Sequence, residues 1–178
     1  MAGEFIEPKV IMKMTKNKQT LAGLIVSLFC LFGSSAFAQV TIAGDLEIET
    51  RLNGVVFANG DDNILQAGGL NGENVNFDAG VTIETEINGV VFANGNNNFV
   101  QAGGIRATDS NFGGDVEVNL VVNGVIAANG DDNYIGVGGI DAENADIGGT
   151  TRIDTEINGV VFANGNGNDV QVGHFKAR

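Results

Sequence analysis

The chain has 178 residues, with 9 Lys and Arg against 22 Asp and Glu and a formal net charge of −13. Its apolar fraction of 43% is too large for a charged disordered tail, and its acidity excludes wrapping a nucleic-acid backbone, which needs clustered Lys and Arg. One Cys, one His and no Trp leave few of the usual catalytic side chains.

The first 38 residues differ in kind from the rest. Lys13, Lys16 and Lys18 form a positive segment, residues 21–32 (LAGLIVSLFCLF) an apolar core, and Ser34-Ser35-Ala36-Phe37-Ala38 a small-residue cleavage site. Twelve apolar residues fall short of the roughly 20 that a spanning helix needs, so the mature chain is expected to hold no integral membrane span. Phe29 before Cys30 argues against a lipoprotein signal. Glu4, Glu7 and Pro8 are unusual in such a segment, which makes Met12 or Met14 a candidate start. The expectation is an exported chain, cleaved after Ala38 and secreted to the cell surface. Cleavage leaves 5 basic and 20 acidic residues, net −15, with no Cys, Pro or Met. Without disulfides, burial and backbone hydrogen bonds must hold the mature part together.

Downstream of Ala38 the chain repeats. NGVVFANG begins at Asn53, recurs at Asn88, appears as NGVIAANG at Asn123 and returns at Asn158, always 35 residues on. The 140 residues after Ala38 divide into four units, 39–73, 74–108, 109–143 and 144–178, without insertion. Leader cleavage and repeat phase are independent signals, and they meet at the same bond.

Each unit opens with a short apolar segment, Val40-Thr41-Ile42 and its counterparts. The columns of Leu46, Ile48 and Leu52 then recur at even spacing with polar residues between most of them, the signature of a strand with one buried face. Val55 and Phe57 mark a second strand, and Leu65 a third, closed by the Gly pair at 68–69. Asn-Gly at 53–54 and 59–60 supplies tight turns. No window outside the leader has a helical period. The fold expected is all-β: a β-solenoid of four 35-residue coils, whose identical columns stack about 4.8 Å apart. A small four-bladed β-propeller is the alternative. A membrane barrel is disfavoured, because one Tyr cannot build aromatic girdles.

Charged columns test this stacking. Asp61-Asp62 and Asp131-Asp132 alternate with Asn96-Asn97 and Asn166-Gly167, which keeps like charges off adjacent coils. Arg51 with Glu86, and Glu117 with Arg152, set opposite charges side by side, whereas Glu49 and Glu84 would meet as like charges. Asn53, Asn88, Asn123 and Asn158 are invariant, as are Asn59, Asn94, Asn129 and Asn164. Such columns suit turns and amide ladders alike. Gln66, Gln101 and Gln171 lie at a strand position, where a ladder is the better explanation, with Gly136 interrupting it.

The exported Cys-free repeats, the Asn-x-x-Gln-x-Gly of residues 63–68 and 98–103, and the stretches NGVVFANGDDN and NGVIAANGDDN resemble bacterial functional-amyloid fibre subunits of the curli and Fap classes. The resemblance spans residues 39–178. It implies subunits secreted unfolded that stack as β-solenoid coils into biofilm and adhesive fibres. The 35-residue period is longer than that of curli.

Little catalytic chemistry is in view. GDDNYIGVGG at 130–139 is similar to Gly- and Asp-rich calcium loops, so Asp61, Asp62, Asp131 and Asp132 are candidate calcium ligands, although a solvated acidic turn is the simpler reading. Thr50, Thr85 and Thr155 share a column that Leu120 breaks, which argues against an ice-binding array. His174 replaces a Gly of the other repeats and has no Cys or second His to complete a metal site. No enzyme and no resident cofactor are expected. The function expected is an exported structural protein that stacks end to end, because its terminal repeats carry no distinct cap. Its partner is then itself, with export or assembly machinery and cell-surface polysaccharide as further candidates. A monomeric extracellular or periplasmic binding module, lectin-like or weakly calcium-binding, is the alternative.

Overall fold

The computed structural model describes residues 11–12 and 40–177; the leader core at 21–32 and the bond after Ala38 lie outside them. Ile11–Met12 is a two-residue strand, β1. Coil one comprises β2 (Val40–Ile42), β3 (Leu46–Leu52), β4 (Val55–Asn59), β5 (Ile64–Ala67) and β6 (Leu70–Glu73). Coil two holds β7–β11 (Val75–Phe77, Val81–Ile87, Val90–Asn94, Phe99–Ala102, Ile105–Thr108). Coil three holds β12–β16 (Asn111–Phe112, Val116–Val122, Val125–Asn129, Tyr134–Val137, Ile140–Glu143). Coil four holds β17–β21 (Asp146–Ile147, Thr151–Ile157, Val160–Asn164, Asp169–Val172, Phe175–Ala177). No helix occurs among the described residues.

Every sheet takes one strand from each coil. The orders are β18-β13-β8-β3, β19-β14-β9-β4, β20-β15-β10-β5 and β21-β16-β11-β6, with β1-β2-β7-β12-β17 as the fifth. All pairings are parallel, and between coils they run at a constant 35-residue offset: Leu46 faces Val81, Val81 faces Val116, and Val116 faces Thr151. A propeller blade would instead pair antiparallel strands of one repeat. The molecule is a four-coil β-solenoid.

The inward columns of β3, β5, β6 and their counterparts fill the interior with close-packed branched side chains; Ile83, Val118, Val100 and Ile135 are fully buried. Phe77 and Phe112 stack inside it, ring centroids 4.7 Å apart. The Thr50 column also points inward, with Thr85 and Leu120 buried, so it offers no surface array.

One expectation needs correction, and the facing of one strand is set only by the structure. Each coil has five strands, not four. After Gly68 and Gly69, both at positive φ (71° and 102°), the chain turns and resumes as the short strand β6. In the second strand the buried column is Val56/Val91/Ile126 with Ala58/Ala93/Ala128, while Val55 and Phe57 face outward at 69% and 57% exposure. The run Val55-Val56-Phe57-Ala58 is apolar on both faces, so periodicity alone cannot orient it. The interior here is lined by the small Ala58 and Ala67 columns, and the larger Phe57 stacks on Phe92 outside, centroids 5.5 Å apart.

The corner glycines are set by stacking. A Cβ on Gly89 would collide with the carbonyl oxygen of Gly54, one on Gly124 with that of Gly89, and one on Gly159 with that of Gly124. Gly54 itself has no described atom within 4 Å of that position. Gly124→Ala is expected to lower stability by about 2–3 kcal/mol, as overpacking against rigid backbone does. Gly54→Ala should leave the isolated protein near wild type; urea unfolding of both variants checks the contrast.

Candidate functional site: the two end faces and their ladders

Stacking at a 35-residue offset lays each turn residue on its own counterpart. Asn88 Nδ2 donates to Asn53 Oδ1 at 2.9 Å, Asn123 to Asn88 at 2.8 Å and Asn158 to Asn123 at 3.1 Å. The second column behaves alike: Asn94 donates to Asn59, Asn129 to Asn94 and Asn164 to Asn129, each at 2.8 Å. The Gln column differs. Gln66, Gln101, Gly136 and Gln171 are in register, yet no amide bond joins Gln66 to Gln101 among the described hydrogen bonds. Gln171 instead accepts from the Tyr134 hydroxyl at 3.3 Å and donates to Asp169 at 2.8 Å. A glycine at 136 leaves room for the tyrosine ring, 3.0 Å from where a Cβ would stand.

A further Asn column, 63/98/133/168, was read from sequence only as part of a turn and a motif. Asn98 Oδ1 accepts both the backbone N–H of Asn63 at 2.9 Å and its Nδ2 at 3.0 Å. Asn133 Oδ1 accepts Asn98 N–H at 2.9 Å, and Asn168 Oδ1 accepts Asn133 N–H at 2.8 Å. Asn98 and Asn133 are buried. The signal was there: this Asn is as invariant across the repeats as the two ladder columns.

The acidic corners have a backbone role. Asp61 Oδ1 accepts Asn96 N–H at 2.7 Å, Asn96 Oδ1 accepts Asp131 N–H at 2.8 Å, and Asp131 Oδ1 accepts Asn166 N–H at 2.7 Å. Asp62, Asn97 and Asp132 follow at φ of 59°, 54° and 55°, with Gly167 at 68°. Left-handed backbone of this kind favours Asn, Asp and Gly. The two Asp pairs, candidate calcium ligands, stand two coils apart, about 10 Å, so one ion does not span both.

Charge columns follow the register, with one exception. Arg51 Nε reaches Glu86 Oε2 at 2.7 Å, and this guanidinium, together with the Asn88 amide, holds the Glu86 carboxyl below its ordinary pKa, the Asn88 bond foremost. Glu117 and Arg152 are register partners, but Arg152 turns to Asp154 at 3.5 Å while Glu117 accepts from Asn119 at 3.1 Å. An exposed Arg has no desolvated partner to hold it, and such pairs are worth about 0–1 kcal/mol. Glu49 and Glu84 are also register partners, both exposed.

His174 replaces the glycine of 69, 104 and 139. A Cβ on Gly104 would stand 2.7 Å from the Gly139 carbonyl oxygen, so a following coil requires glycine there. The His174 imidazole lies back over Gly139, with Nε2 3.5 Å from the Tyr134 hydroxyl and Nδ1 buried without a partner. Burial lowers its pKa, with Asp141 pulling the other way. Phe99, Arg106 and Asp141 line the same groove, whose free volume of about 10 Å³ is that of a single water.

Among the described residues both end faces keep open strand edges: β3–β6 on coil one and β17–β21 on coil four are paired on one side only, while β1 covers β2. On the coil-four face Val170, Val172 and Phe175, whose counterparts in coil three are fully buried, are 40%, 45% and 52% exposed. Comparison with protein-family models, curated proteins and solved structures returned no match.

The buried and exposed Asn columns should separate on mutation. Asn133→Ala orphans the buried Asn98 N–H and is expected to cost about 1–3 kcal/mol. Asn129→Ala, in the outer ladder, should cost less than about 1 kcal/mol, measured as urea midpoints of the two variants.

Proposed function

We propose that the chain is an exported structural protein whose copies stack end to end into extracellular fibres, serving surface attachment or matrix formation. The observation that carries this reading is the pair of end faces, with four strand edges open among the described residues on coil one and five on coil four. Stacking coil four of one copy on coil one of the next would continue the columns at the same offset except at His174, whose Cβ would press on the Gly69 carbonyl of the next copy, so that corner must shift. Asn158 would meet Asn53, Asn164 would meet Asn59, and Asn168 would meet Asn63, extending three columns already built inside each copy. Phe162 would lie beside Phe57; both are exposed. The leader features of residues 13–38 support export, and the repeat style supports the resemblance to functional-amyloid subunits.

Assembly of a mature chain of net charge −15 must overcome repulsion between copies, so it should be faster at physiological salt than at low salt or with divalent cations absent. Negative-stain microscopy of residues 39–178 is expected to show unbranched fibres, with diffraction near 4.8 Å along their axis. Gly54→Ala should fold and remain dispersed, since its Cβ would meet the Gly159 carbonyl of the preceding copy. Discrete wild-type particles under all these conditions would overturn the fibre reading in favour of a monomeric binding module.

A further inference from the structure

We infer that two charged columns on the end faces fix the direction and register in which copies stack: Arg152 of one copy against Glu47 of the next, and Glu156 against Arg51. The inference rests on the fibre reading and names the partner as a second copy of this chain in head-to-tail orientation.

The register inside the molecule defines which residues would meet. β3 is the open edge of its sheet on coil one and β18 the open edge on coil four, with β8 and β13 between them. Residue 47 lies in the column of Thr82, Glu117 and Arg152, and residue 51 in that of Glu86, Val121 and Glu156. Placing a further coil one on coil four therefore sets Glu47 beside Arg152 and Arg51 beside Glu156. Both contacts join opposite charges, on the same outward face and four residues apart. The Arg51–Glu86 ion pair at 2.7 Å shows that coil neighbours in this column reach each other.

The four side chains are accessible for this. Glu47, Arg51, Arg152 and Glu156 are exposed. Arg152 makes only a 3.5 Å contact with Asp154 while 68% exposed, so it is held loosely. Glu156 accepts from Asn158 at 2.8 Å and keeps its other oxygen free of any described bond. Between these columns Asp154 would face Glu49, a like pair, and Arg152 beside Asp154 offsets it. Shifting the copy by one residue along the strand would destroy both pairs and turn the apolar columns outward. Turning it over so that two coil-four faces meet would leave Glu47 and Arg51 unused.

Reciprocal charge reversal tests this. Arg152→Glu alone sets Glu against Glu47, and Glu47→Arg alone sets Arg against Arg152. Each is expected to raise the critical concentration for fibre formation about tenfold, the change from a weak attraction to a weak repulsion. Mixed in equal amounts the two variants restore both junctions, because each copy's altered face meets the other's complementary one. Fibres should then form near the wild-type threshold and contain the variants in alternation. At 1 M salt, where charges are screened within about 3 Å, the differences should vanish.

Each single reversal assembling like wild type, or an equal mixture no better than either alone, overturns the inference while leaving the fibre reading intact. Two-copy particles that Arg152→Glu disrupts and Glu47→Arg does not would also overturn it, in favour of tail-to-tail pairing. A wild-type chain that forms no fibres defeats the fibre reading itself. Circular dichroism and urea midpoints of the single variants, expected to match wild type because both sites are exposed, separate lost assembly from lost folding.

Discussion

Parallel stacking at a constant offset makes every residue the neighbour of its own counterpart, and almost every other feature of the molecule depends on that constraint. A column must tolerate contact with itself. Branched apolar side chains do so by packing, amides by hydrogen-bonding in series, and aromatics by stacking, as at Phe77 and Phe112. Glycine corners do so by leaving no Cβ above the carbonyl of the coil beneath. Carboxylates do not, and they are found where an amide or a glycine intervenes, as in Asp61, Asn96 and Asp131, or on an exposed face such as Glu49 and Glu84.

The same constraint explains what could be read from the sequence. Self-contact writes the repeat into the residues directly, so the 35-residue period, the coil boundaries and the inward columns at Leu46, Ile48, Leu52 and Leu65 were all legible. The facing of the second strand was not, because Val55, Val56, Phe57 and Ala58 are apolar on both sides, and only the narrow interior chooses the smaller pair. Strand β6 was hidden by the glycine pair before it, which marks an end in most β proteins and here marks a corner.

Among the side chains singled out from sequence, those at turns and those on strands fared differently. The Asn53 and Asn59 columns sit at corners where the amide plane lies along the stack, so donor and acceptor line up coil after coil. Gln66 and Gln101 have one more rotatable bond and lie in a column that Gly136 opens; a tyrosine hydroxyl claims Gln171 instead. The partnership of Glu117 with Arg152 was correct in register and not in contact, since a long exposed side chain chooses among several acids within reach. Asn98 and Asn133, the most buried of the amides, were overlooked because their neighbours read as an ordinary polar turn. Their oxygens receive backbone N–H groups that no strand pairing satisfies.

The acidic corners carry an arithmetic of their own. Asp61, Asn96, Asp131 and Asn166 alternate, as do Asp45, Gly80, Asp115 and Thr150, so the chemical period is 70 residues although the geometric one is 35. Removing coil two would press Asp61 against Asp131; removing coils two and three together would restore the alternation. Coil number thus has a parity. Only an even count lets the pattern close on itself when one molecule follows another, and a lineage of such solenoids would change length most easily in steps of two.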